Sequence, residues 1–287
     1  MEQLELTDRQ RIEIIRKKAT CPFIGSAVAG GDLPVFGSVE RPLAKVEDVV
    51  RLGDSGGGDL GSHVLQLFAV GNHSRLPDPQ GAFNGDTVDG FFSLDFPGSK
   101  GAHPGDSGIL IENPLTFESG RLCMEAFERL RALADDAGML GIAAVGRFIA
   151  DNVRNDDRTR SDRGNALPTL GRILGDVADR LGERFHGRSF HHQDHVRFLE
   201  DFTSAISGDD LVRSAGEFGL LFALLANRPD AIHGKIKLSD VEAMMVRAEL
   251  PEGWRDWPKR LRDWVESTGE IAFAAWRSAG DQVSHAP

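Results

Sequence analysis

Apolar residues recur at helical spacing over most of the chain, and the stretches between them are rich in turn formers. Residues 6–20 place Ile12, Ile14 and Ile15 on one side behind Thr7 as an N-cap, which predicts a short amphipathic helix. Residues 30–115 are dense in Gly, Pro, Asp and Asn, so long loops are expected there. Within them, 59–70 reads as helix behind the breaker Gly56-Gly57-Gly58, and 90–96 as a short apolar strand or helix. Residues 116–151 carry a strong helical pattern, split near Asp135-Asp136-Ala137-Gly138. The charged run 154–164 predicts a solvated loop. Further helices are expected over 168–184, 191–207, 209–227, 239–249 and 256–279. Strand signals are weak and no fixed-period repeat is visible. The pattern predicts an all-α fold: one mostly helical domain over 1–287, with its motifs in 20–255 and a closing helix at 256–279.

Composition narrows the class. A chain of 287 residues, 40% apolar and 27% charged, has the make-up of a globular domain. Its net charge of −11 argues against nonspecific nucleic-acid binding. Two cysteines, Cys21 and Cys123, cannot build a disulfide framework or a zinc site. The acidic start Met1-Glu2-Gln3-Leu4-Glu5 carries no secretory pattern, and no run is long enough for a membrane span. A cytoplasmic protein is expected.

The chemistry starts at Cys21. Pro22 suits the first helical position, so Cys21 falls at the N-cap of a short run of small and apolar residues, 22–29. Backbone N–H groups and the positive helix end then face the sulfur and favour the thiolate. A thiolate held this way can ligate haem iron. On Cys21-Pro22 alone, a buried structural cysteine remains the plainer alternative.

Three segments resemble the haem-thiolate peroxidases, the family of chloroperoxidase and unspecific peroxygenase. Cys21, Pro22, Ile24, Gly31, Pro34 and Gly37 fall in that family's N-terminal pattern of Cys-Pro, small-residue helix and Gly-x-x-Pro-x-x-Gly. Glu217-Phe218-Gly219-Leu220-Leu221-Phe222-Ala223-Leu224 is similar to its Glu-x-Gly-Phe-x-Phe-Ala-Leu helix. Asp89, Leu94, Phe96, Ala102, Gly105 and Asp106 follow its Glu-Gly-Asp element. The resemblance implies haem b as cofactor, with Cys21 as axial ligand beside Pro22. It implies Glu217 as the acid–base group for peroxide. A carboxyl abutting so apolar a run loses water, which suits proton transfer near neutral pH. His103 would stand in the place of a pocket aromatic and could act with Glu217. Gly105, Asp106, Leu220 and Phe222 would line the cofactor site. Arg213, four residues before Glu217, could support its carboxylate or form an ordinary surface pair.

The departures also matter. Pro104 replaces the glutamate of the Glu-x-Asp element and Gly108 its serine. The Mg²⁺ or Mn²⁺ site that the resemblance would bring beside a haem propionate is therefore not expected, because a proline supplies no carboxylate. His186, His191, His192 and His195 form a His-rich run without a completing thiolate or carboxylate and read as a solvated helix face. The segment Gly234-Lys235-Ile236-Lys237-Leu238-Ser239-Asp240 has no acidic loop before it and is not a calcium site.

The expected function is oxidation or oxygenation of a small organic substrate, or of halide, by hydrogen peroxide. A haem-binding or redox-sensing protein of the same fold is the alternative, and a helical interaction protein without haem the third. No nucleic-acid or membrane partner is expected.

Overall fold

A computed structural model describes residues 2–17, 21–65, 90–94, 124–155 and 210–280. Helix α1 (Asp8–Lys17) opens behind Thr7, whose backbone N–H donates to Gln10 Oε1 (2.9 Å), as a capping box does. Helix α2 (Pro22–Ala29) follows, starting on Pro22. The amides of Gly30, Asp32 and Leu33 fold back onto Ser26 and Ala27 carbonyls and close it. Gly31 takes a positive φ of 75° in that turn, which favours glycine.

Strands β1 (Phe36–Gly37) and β2 (Pro42–Lys45) form a tight hairpin. At Gly37, φ is 84° and a Cβ would stand 2.6 Å from the Arg41 carbonyl oxygen, so only glycine fits. Helix α3 (Val46–Gly53), a 3-10 turn (Ser55–Gly57) and a wide π-type turn (Gly61–Leu65) lead on. Strand β3 (Phe91–Ser93) completes an antiparallel sheet, with Leu43 opposite Ser93 and Ala44 opposite Phe92.

Helix α4 (Met124–Arg131) ends in a turn built by Asp135. Its carboxylate accepts the amides of Ala137 (3.0 Å) and Met139 (2.9 Å) and the Lys235 ammonium (2.7 Å). Strand β4 (Met139–Gly141) feeds α5 (Ile142–Asn155). Helix α6 (Asp210–Leu225), strand β5 (Lys235–Lys237), α7 (Leu238–Met245), a 3-10 turn (Trp254–Asp256) and α8 (Leu261–Gly280) complete the order. Strands β4 and β5 pair antiparallel, Leu140 opposite Ile236.

The core is one apolar cluster around α5, α6 and α8. Two glycines let these helices cross closely. A Cβ on Gly146 would stand 2.5 Å from Ala274 Cβ, and one on Gly219 would stand 2.0 Å from Thr268 Oγ1. Phe148 of α5 meets Phe218 of α6 edge-on at 6.0 Å. Helix α2 packs between α1 and α7.

The protein is mostly helical, as expected, and among the described residues it also carries two small antiparallel sheets. These strands are two to four residues long. That is too short for alternation to register as a sequence signal. Of the expected helix over 59–70, the described part is mainly the π-type turn, and of the segment 90–96 the described part carries the strand Phe91–Ser93. The expected helices over 168–184 and 191–207 and the charged loop lie outside the described residues.

Candidate functional site

Cys21 sits at the N-cap of α2 with extended backbone (φ −72°, ψ 121°), as Pro22 at the first helical position requires. Its carbonyl accepts the Gly25 amide at 2.8 Å, which starts the helix. The helix is held from its buried face. The Ser26 hydroxyl lies 2.7 Å from the Pro22 carbonyl and 3.1 Å from the Met244 carbonyl of α7. The Arg11 guanidinium of α1 donates to the Val28 carbonyl at 3.2 Å. Cys21 itself is half-buried at the edge of the core.

Burial pushes the Cys21 thiol above its ordinary pKa. The amides of Ile24 and Phe23 pull it down, and the negative charge of Glu217 pushes it up again. Neither amide reaches a formal capping bond to the sulfur. The thiolate expected from the helix end is therefore corrected for the cofactor-free protein: the pull is present, but desolvation outweighs it. A cation at the sulfur reverses that balance, because a coordinating thiol gives up its proton.

Glu217 comes from α6, far from Cys21 in sequence, yet its charge is felt at the sulfur. Helix α6 is fixed on both sides of it. The Trp264 indole N–H donates to the Gly216 carbonyl (3.1 Å), and the Trp254 indole N–H to the Leu224 carbonyl (2.8 Å). Phe218, Gly219 and Leu221 are buried, whereas Glu217 and Leu220 are only half-buried. Cys21 and Pro22 are half-buried too, while Phe23 to Val28 behind them are sealed. Cys21 and Glu217 are thus each partly exposed, on different helices.

Of the predicted site, Cys21 and Glu217 come within electrostatic reach of each other, and Pro22 and Leu220 lie beside them on their helices. Phe222 is 1% exposed and part of the core. His103, Gly105 and Asp106 lie outside the described residues, as do Pro104, Cys123, the His186–His195 run and the Arg213 side chain. Among the described residues, no group of three or more His, Cys, Asp or Glu is gathered for a metal ion, and no helix is long and apolar enough to cross a membrane.

Sequence reasoning missed the support behind Cys21. The Phe23 ring packs on Trp254 (centroids 5.4 Å apart), and the Lys259 ammonium lies 3.7 Å from the centre of the Trp254 ring. Lys259 gives no signal in the sequence, because lysine is almost always exposed. No protein-family model, curated protein or solved structure matches the chain.

Proposed function

We propose that this protein is a haem-thiolate peroxidase or peroxygenase, a single chloroperoxidase-like domain over 1–287. The observation that carries the reading is the half-buried Cys21 at the N-cap of α2, whose thiol the negative charge of Glu217 on α6 helps to raise. The residues present fit the group. A sulfur at a helix N-terminus, half-covered and drawn on by two amides, would be a suitable donor to haem iron. Leu220, partly buried against the core, is an apolar neighbour three residues after Glu217.

Bound haem would supply the iron centre at which peroxide is reduced. The chain's own part is to orient and to move a proton. Helix α2, held by Ser26 and Arg11, fixes the direction of the Cys21 sulfur. Its Phe23 and Ile24 amides moderate the charge on that sulfur. The Glu217 carboxylate would accept a proton from one peroxide oxygen and hand it to the other, while the haem would supply the redox chemistry. The substrate is a small organic molecule or a halide, and the compartment a reducing cytoplasm.

The raised Cys21 thiol favours one second reading: a haem sensor whose cysteine is protonated until haem arrives, without turnover. Peroxide reactivity separates the two. In haem-reconstituted protein, Glu217→Gln should keep the parent's absorbance but slow the stopped-flow reaction with hydrogen peroxide about 10²–10⁴-fold. An equal rate would remove Glu217 from the mechanism, and no peroxide reaction in the parent would leave the sensor.

A further inference from the structure

Lys259 is 0% exposed, an uncommon setting for an ammonium. All three of its hydrogen bonds go to neutral oxygens: Ser55 Oγ (2.7 Å), the Trp254 carbonyl (2.8 Å) and the Ser55 carbonyl (3.3 Å). The charge also rests on the Trp254 ring. The loop from Ser55 closes over it. The Asp59 and Leu60 amides donate to the Lys259 carbonyl (2.9 and 3.1 Å), and a Cβ on Gly58 would stand 2.1 Å from that oxygen.

Trp254 reaches two helices from this clamp. Its ring meets Phe23, two residues after Cys21, and its N–H holds the Leu224 carbonyl near the end of α6. Arg255 pairs with Asp32 just beyond the end of α2. Packing alone could have been met by a methionine of similar length. A buried ammonium adds direction, because three donors and one ring fix a single pose.

We infer that Lys259 is a positioning residue for Cys21: its ammonium clamps Trp254 as the wedge between the helix that carries Cys21 and the helix that carries Glu217. Without the clamp, Trp254 and Phe23 gain freedom, and the first turn of α2 opens to solvent. The inference takes its functional meaning from the haem-thiolate reading, but its physical content is testable without haem.

Burial lowers the Lys259 pKa to about 8, and Asp256 raises it in part. The carboxylates on the segments around it are Asp256, Asp59, which accepts the Leu261 amide, and Asp54, which holds Ser62.

The experiment is alkylation of Cys21 by iodoacetamide in haem-free protein carrying Cys123→Ser. At pH 7, Lys259→Met should be alkylated several-fold faster than the parent, and Ser55→Ala, which removes one acceptor, to a smaller degree. The ratio of variant to parent rate should not fall by pH 9.5, because burial favours the neutral amine, which still donates to Ser55 and the Trp254 carbonyl. Leu130→Ala in α4, a core truncation on an element that packs on α5, should leave the rate unchanged. Parent-like rates in Lys259→Met would overturn the inference, as would an equal acceleration in Leu130→Ala. If Lys259→Met does not fold by circular dichroism, Ser55→Ala decides in the same way. A haem titration of the parent reports separately on the haem-thiolate reading, so either can fail alone.

Discussion

Replacing Lys259 by methionine should change how stability depends on pH. The fall of the Lys259 pKa from 10.5 to about 8 corresponds to about 3 kcal/mol favouring the neutral amine in the folded protein. Below pH 8 the folded protein carries the full cost of burying the charge. Between pH 8 and 10.5 the unfolded chain still holds this proton and the folded protein does not. Unfolding then takes up a proton, so the parent's stability rises with pH through this window. Lys259→Met removes the titration while keeping the stem that packs on Trp254. Groups shared by the two proteins cancel in their difference. Urea unfolding at pH 7, 8, 9 and 10 should show the parent gaining on Lys259→Met, by about 3 kcal/mol once the window is crossed. A difference that stays flat from pH 7 to 10 would refute the buried, solvent-starved ammonium.

Other substitutions test the frame of the site. Gly219→Ala puts a methyl against Thr268 where α6 crosses α8 and should cost about 1–3 kcal/mol in urea unfolding; an unchanged midpoint would mean that the helices stand further apart. Trp264→Phe deletes the indole bond to the Gly216 carbonyl and should cost about 1 kcal/mol or more, read by thermal unfolding. In a Cys123→Ser background, Glu217→Gln should lower the pH at which Cys21 becomes half-reactive, because a negative charge near the sulfur is gone. No fall would separate Glu217 from Cys21 in space.

The local frame of the site was legible where chemistry forces geometry. Cys21-Pro22 announced an N-cap because proline tolerates only the start of a helix. Gly31 and Gly37 marked turns because both need positive φ. Residues 209–227 and 256–279 read as helices from their long apolar period, and the structure has helices at 210–225 and 261–280. Phe36–Gly37 and Pro42–Lys45 escaped notice because strands of two to four residues carry no alternation, whereas Phe91–Ser93, read as strand or helix, pairs with a strand distant in sequence. The Cys21 thiol went the other way from expectation because burial depends on tertiary packing that no single segment reveals. Lys259 was silent for the same reason: its acceptors are Ser55, distant in sequence, and a carbonyl five residues back.

The central claim is that Cys21 is the haem ligand. The direct measurement is the CO-difference spectrum of reduced, haem-reconstituted protein. The parent and Cys123→Ser should both show the band of thiolate-ligated haem, and Cys21→Ser should lose it. A parent without that band, or a Cys21→Ser variant that keeps it, would contradict the account.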